Sequence, residues 1–154
     1  MGNPDASSLT EVLPAELVIT DPARMDSYRR DAAHLAYVGT PAAVVTAAST
    51  RHVADTLAWA SAHRVPVVPR GAGSGLSGGA AALDGCVVLS TAGMTAIKEI
   101  ADEDLLAVVE PGVLNGAVGR AAAAVGLFYP PDPSSFEISS IGGNLATNAG
   151  ASDA

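Results

Sequence analysis

Lysine is nearly missing from this 154-residue chain: Lys98 is the only one, and the bases total 8 against 16 acids. The formal net charge is −8, and no cluster of Lys and Arg makes a basic patch. Such a surface repels phosphodiester backbones and acidic lipid, so no nucleic acid and no anionic membrane surface is expected as a partner. An anionic ligand stays open if backbone N–H groups bind it. Cysteine occurs once, at Cys86, which excludes an internal disulfide. Its neighbours Val87, Val88 and Leu89 make a buried strand thiol the expectation. Aromatics are down to one Trp, three Tyr and two Phe. The core must therefore come from Val, Leu, Ile and much Ala, whose contacts each bury little area. No apolar run approaches the roughly 20 residues that span a bilayer, so no transmembrane segment is expected. The opening MGNPDASSLTEV has neither the basic nor the apolar part of a secretion signal. It also lacks the Ser or Thr at position six that myristoylation needs. The expected location is cytoplasmic, with peripheral attachment to a membrane complex left open.

What is present is hydrophobic, at 49% of residues, which places the chain among packed globular proteins. Asp21-Pro22 reads as an N-cap with proline in the first helical position, starting a short helix that runs to about Ala33. Residues 41–46 read as a short buried strand. Ser49 or Thr50 caps a second helix, with Val53, Leu57 and Ala60 on one face, ending near His63-Arg64. Residues 65–68 form the next strand, so strand, helix and strand make a parallel βαβ unit. Further strands are expected at 86–90, 96–100 and 105–109, the last two joined through the acidic turn Asp102-Glu103-Asp104. The alanine-dense stretch 113–125 reads as a third helix that Gly126 terminates. Three prolines within 129–135 make a stiff loop. The glycine-rich stretch 139–150 comes last, with room for a helical turn.

The loop RGAGSGLSGGA, residues 70–80, satisfies two unrelated patterns. Gly73 to Gly78 fits the dinucleotide fingerprint G-x-G-x-x-G, and Gly75 to Gly79 fits the nucleophile elbow G-x-S-x-G. Both patterns demand a helix directly after the loop. The chain instead continues through Gly79, three alanines, Leu83 and an Asp84-Gly85 turn into a strand. The elbow also needs a histidine after the serine, whereas His34, His52 and His63 all precede Ser77. A serine hydrolase acting through Ser77 is thus a remote alternative. The histidines have no metal-ligand spacing, and no metal is expected. The physics common to such loops still applies: glycines at 71, 73, 75, 78 and 79 can turn successive N–H groups inward as an anion nest. The loop has no G-K-[ST], which argues against ATP or GTP hydrolysis.

Four motifs occur together in order. They are Pro66 to Gly79 (PVVPRGAGSGLSGG), Val109 to Gly112 (VEPG), Pro131 to Ser135 (PDPSS), and Ser140 to Asn144 (SIGGN) with Asn148-Ala149-Gly150. This set, with Asp26-Ser27-Tyr28 and Asp31 upstream, resembles the FAD-linked oxidases of the vanillyl-alcohol oxidase and p-cresol methylhydroxylase type. The likeness is nearest to the FAD-linked subunit of glycolate oxidase and to D-lactate dehydrogenases, and runs from about Leu17 to Gly150. It implies an α/β (α+β) fold, the N-terminal portion of a p-cresol-methylhydroxylase-type FAD-binding domain. A βαβ unit would be followed by a mostly antiparallel strand run and a helix. Residues 1–16 would be an N-terminal tail and 17–154 the domain, incomplete at its C-terminal end because the family continues into a cap domain. The resemblance implies that Pro69, Arg70, Gly71, Ala72, Gly73, Ser74, Gly75 and Leu76 wrap the FAD pyrophosphate through backbone N–H groups. It puts Asp132, Ser134 and Ser135 on the flavin side, and lets Gly142, Gly143 and Asn144 pass close to the cofactor with help from Asn148. Some members attach flavin through a histidine in the first loop; this loop has none, so FAD is expected non-covalently. The implied parent is a flavoprotein oxidoreductase that oxidises a small 2-hydroxy acid by hydride transfer to flavin. Partner subunits or an electron acceptor come with it, and no catalytic residue is assigned within these 154. The alternative is a truncated module with weak or no FAD binding.

Overall fold

The computed structural model describes residues 6–33 and 35–149, so expectations that fall on His34 or Gly150 lie outside them. The first helix begins as its cap dictates. The Asp21 carboxylate accepts the Arg24 amide at 3.0 Å, and Pro22 opens α1 (Pro22–Met25). Helix does not continue to Ala33: one 3-10 turn, Asp26–Tyr28, ends it. Tertiary partners claim the polar groups of Arg29 at that point. Its side chain donates to the carbonyls of Gly39 at 2.9 Å and Val38 at 3.1 Å, while its own carbonyl accepts from the Ala82 amide at 2.9 Å.

The main sheet has four strands, β1 (Val18–Ile19), β2 (Ala43–Thr46), β3 (Val67–Arg70) and β4 (Val87–Ser90), in the order β1-β2-β4-β3. Helix α2 (Thr50–His63) joins β2 to β3. It starts where the Ser49 hydroxyl accepts the His52 amide at 3.2 Å, and ends at Arg64 in the left-handed conformation, φ 56°. The expected βαβ unit is there with one correction. β2 and β3 are not neighbours, because β4 lies between them and pairs in parallel with both. The segment expected to open an antiparallel run is thus the central parallel strand. Its residues Val87–Ser90 are all buried, as a strand covered on both faces requires. The class nevertheless holds, since β1 pairs antiparallel at the sheet edge and a separate antiparallel hairpin comes after β4.

Strand alternation divides the interior. Ala43, Val45, Val87 and Leu89 pack on one face with Trp59, Ala60, Leu9, Leu13 and Met94. Val44, Val68, Val88 and Cys86 pack on the other with Ile19, Met25 and Ala82. The stretch set apart as a tail takes part in this: Ala6–Glu11 is a 3-10 helix whose Leu9 is fully buried. Leu9 and Leu13, one helical turn apart, face Trp59, whose indole N–H donates to Ser8 Oγ at 3.0 Å. Helix α2 presents Thr56, Trp59 and Ala60 inward, whereas Leu57, expected on the buried face, is 46% exposed.

Beyond the sheet come the hairpin β5 (Ile97–Ala101) and β6 (Leu106–Val109), then α3 (Asn115–Ala124) and α4 (Ile141–Thr147). Gly126, at φ +79°, ends the α3 segment as expected. A third cluster of Val113, Val118 and Ile141 fastens α3 to α4.

The segment before β2 is clasped to the turn before β4. The Tyr37 hydroxyl donates to Asp84 Oδ2 at 2.6 Å, and the Thr40 amide donates to Asp84 Oδ1 at 2.8 Å. These donors, Tyr37 first, hold the Asp84 carboxyl below its ordinary 3.8, while the accepting carboxylate and its charge push the Tyr37 phenol above 10.0. A depressed carboxyl stabilises the fold above its unfolded value and loses that effect as pH falls through the folded one. A raised phenol stabilises below 10.0 and loses the effect at higher pH. Asp84→Ala should therefore lower the thermal midpoint at pH 7, and the gap from wild type should close as pH falls below 3.8. A gap independent of pH in thermal melts would contradict the clasp. Cys86 is fully buried and burial raises its thiol pKa. It should resist iodoacetamide in the native protein and react only after denaturation.

Candidate functional site

Parallel strands β3 and β4 end side by side, where the Thr91 amide donates to the Arg70 carbonyl at 2.9 Å. The glycine loop leaves the sheet at this point, the edge where loops of parallel strands gather ligands. Residues 71–86 contain neither helix nor strand, so the helix that both short patterns require is absent. Ser77 is exposed and makes no hydrogen bond among the described residues. The described histidines are engaged elsewhere. His52 Nδ1 accepts the Ala48 amide at 3.3 Å, and the His63 ring stacks on Trp59 at 4.4 Å. Among the described residues no three His, Cys, Asp or Glu side chains gather as a metal site.

Across the loop, the Ala72 amide donates to Ser140 Oγ at 3.3 Å and the Ala80 amide to Asp31 Oδ2 at 3.3 Å. Between them, the amides of residues 73–79 donate to no acceptor among the described residues. Gly73 has φ +75°, and a Cβ there would overlap the Arg70 guanidinium, so only glycine suits both the turn and the neighbour. The guanidinium is committed: Nη1 donates to the Arg30 carbonyl at 2.7 Å and Nη2 to that of Ser27 at 3.5 Å. Burial lowers the Arg70 pKa, with the nearby Asp31 charge acting in the opposite direction.

The second glycine-rich segment meets the first through Ser140. A Cβ on Gly71 would lie 2.5 Å from Ser140 Oγ, and Gly143 also faces that hydroxyl. Ser140 precedes α4, whose seven residues are more than the single turn expected. Gly142 has a different reason for being glycine. Its amide donates to the Pro111 carbonyl at 2.9 Å, and a Cβ would come within 2.6 Å of Pro111 Cβ. Asn144 Nδ2 is buried without a hydrogen-bond partner among the described residues. A buried amide of that kind needs an acceptor. Asn148 closes α4 in the left-handed conformation at φ 54° and is exposed.

The proline-rich loop adjoins the same helix start. The Ser135 carbonyl accepts the amides of Ile138 and Ser139, both at 2.8 Å, while Asp132 and Ser134 are exposed. No hydrogen bond among the described residues joins Asp132, Ser134 or Ser135 to residues 69–80. Sequence reasoning missed Asn115 here. It is fully buried, donates from Nδ2 to Ser139 O at 3.1 Å and Oγ at 2.9 Å, and accepts from the Tyr129 hydroxyl at 3.2 Å. An asparagine among alanines at a helix start was its only signal. Ser140, quoted within a motif but given no role, is the other omission.

These contacts separate two glycines. Gly71→Ala displaces only a rotatable hydroxyl and the Ala72 hydrogen bond. Gly142→Ala meets a proline ring and its carbonyl, neither of which can rotate away. Gly142→Ala should thus cost about 1–3 kcal/mol in urea unfolding, and more than Gly71→Ala. Equal costs would contradict the packing described.

A family model described as an FAD binding domain matches residues 41–154. The glycolate oxidase subunit GlcD of Bacillus subtilis is 46% identical over 114 residues, 74% of this chain and 24% of that protein. D-2-hydroxyglutarate dehydrogenase of Stutzerimonas stutzeri is 40% identical over 134 residues, 86% of this chain and 28% of that protein. The solved structure of p-cresol methylhydroxylase with substrate bound superposes with a TM-score of 0.78 at 23% identity, over 93% of this chain and 28% of that one. At that identity the likeness establishes the fold. The chain spans about a quarter of the length of the curated relatives it matches. The expected fold type and the glycolate oxidase likeness both hold, and the chain belongs to the FAD binding domain family, whose cofactor is FAD.

Proposed function

We propose that residues 17–154 supply the FAD site of a larger flavoprotein that oxidises a small 2-hydroxy acid of the glycolate or D-lactate type. The observation that carries this reading is the run of amides at 73–79, which among the described residues donate to no acceptor, in a loop leaving the carboxyl ends of parallel strands. Backbone N–H groups are the phosphate ligands such a loop offers, and they need no lysine. On this reading the amides of residues 73–76, within the Pro69 to Leu76 stretch, hold the pyrophosphate, with Pro69 and Arg70 ending β3 beneath them and Gly71 and Gly73 keeping the approach free of Cβ atoms. Asn144 Nδ2, buried and without a partner among the described residues, donates to a cofactor oxygen or nitrogen. Gly143 precedes Asn144 on α4 and Asn148 caps the helix, while Gly142 secures it to Pro111. Asp132, Ser134 and Ser135 offer one carboxylate and two hydroxyls to the flavin side.

When bound, FAD supplies the acceptor for the hydride lost from the hydroxyl-bearing carbon. This chain binds and orients it, and no acid or base for the substrate is assigned here. The substrate class is taken from the relatives' names, and so is the expectation of partner subunits; an electron acceptor follows from the need to reoxidise the flavin. A cytoplasmic location is part of the proposal; no described helix is long and apolar enough to cross a membrane.

A second reading has an observation of its own. Leu76 in the glycine loop at 78% exposure and Leu145 on α4 at 79% leave apolar side chains in water at the site, and Phe128 is 85% exposed. Residues 1–154 alone would then self-associate and hold FAD weakly or not at all.

No histidine occurs in residues 64–154, which supports non-covalent binding. Acid precipitation of the purified full-length protein should leave FAD in the supernatant. Flavin retained in the pellet would contradict the non-covalent site, and a protein free of flavin that stays so after incubation with FAD would contradict the reading as a whole.

A further inference from the structure

Asp31 is a carboxylate set against a loop that is to receive an anion, a placement that ought to weaken binding. Its contacts remove the contradiction. Oδ1 accepts the Ala33 amide at 3.1 Å, and Oδ2 accepts the Ala80 amide at 3.3 Å across 49 positions of sequence. Oδ2 also lies 3.9 Å from where a Gly75 Cβ would stand, so the carboxylate flanks the middle of the loop as well. At the other end of the loop, Arg70 Nη1 donates to the carbonyl of Arg30, the residue before Asp31. The last residue of β3 before the loop and the residue just after the open run are therefore tied to one pair of consecutive residues, Arg30 and Asp31. The guanidinium and carboxylate also attract one another, which reduces the field either would impose on a bound phosphate.

We propose that Asp31 and the Arg70 side chain are positioning residues that hold residues 73–79 open as the phosphate cradle, without contacting the phosphate. This rests on the FAD reading above. A glycine-rich loop left free samples many conformations, and fixing it only on binding would cost affinity. Tying its two ends beforehand removes part of that cost. Leu35 adds an apolar contact on the same side, because a Cβ on Gly78 would lie 2.8 Å from Leu35 Cδ1.

The test uses the full-length protein as wild type, Asp31→Ala, Asp31→Asn and Arg70→Lys. Amide hydrogen exchange without ligand comes first. Asp31→Ala should speed exchange at Ala80 by roughly tenfold or more, the loss of one charge-assisted bond, and leave Val88 unchanged. Unchanged exchange at Ala80 overturns the clamp whatever the cofactor result. Titrations with FAD, and with ADP as a bare pyrophosphate probe, come second. Asp31→Ala should weaken both by roughly tenfold, while the ligand-free thermal midpoint stays near that of wild type. Asp31→Asn keeps one acceptor and should fall between wild type and Asp31→Ala. Arg70→Lys keeps the charge but loses the fork that reaches Arg30, and should weaken FAD and ADP alike. Tighter binding by Asp31→Asn would show a carboxylate acting by repulsion and would overturn the proposal, as would unaltered affinity in Asp31→Ala. Failure of wild type to bind FAD sinks the proposed function itself, a result distinct from a clamp that fails in a protein that binds.

Discussion

Strand β4 entering between β2 and β3 is the constraint on which the remaining architecture depends. It aligns two parallel strands so that they terminate together, with the Thr91 amide on the Arg70 carbonyl as the last rung. Beyond that rung the ladder no longer supplies acceptors, so the next amides must find water, side chains or a ligand. Ala72 finds Ser140 and Ala80 finds Asp31; the amides of residues 73–79 find no acceptor among the described residues. The Ser140 contact also docks the second glycine-rich segment, and Asn115, buried beneath it, fixes the strand-like bridge between Leu114 and Ser140. Sheet, loop and α4 thus share one junction.

The electrostatics of this junction decide a question the composition raises. On charge alone, a chain at −8 is a poor receptor for a pyrophosphate. Long-range repulsion between exposed charges, however, is largely screened beyond about 8–10 Å at physiological salt. A hydrogen bond to a charged oxygen contributes about 1.5–3 kcal/mol. A few converging amides outweigh the screened field of distant carboxylates. The nearest carboxylate, Asp31, has both oxygens engaged by amides and an arginine beside it. Local dipoles govern here, which is why scarcity of lysine does not exclude an anionic cofactor.

Features set within a few residues were legible in the sequence. Asp21-Pro22 and Ser49 cap their helices, Gly126 ends the α3 segment, and the acidic turn joins β5 to β6, each for a local reason. Strand order was not legible, because which of two hydrophobic runs lies centrally depends on contacts far apart in sequence. The phase of α2 differs from its apolar spacing at Leu57 because Trp59 and Thr56, a large aromatic and a hydroxyl, form the buried face instead. The end of helix at Tyr28 has no local signal, since the partners of Arg29 lie nine residues and more downstream. In the site, the motifs located the glycine loop and α4, but not what braces them. Asp31, Ser140 and Asn115 act through partners 49, 68 and 24 positions away, and no spacing rule connects them.

The structure of the full-length protein with FAD bound is the most direct measurement. Pyrophosphate oxygens should lie about 2.7–3.2 Å from amides within residues 73–79, with the Arg70 guanidinium still on the Arg30 carbonyl. Phosphates bound elsewhere, with those amides facing only water, would contradict a backbone cradle at this loop.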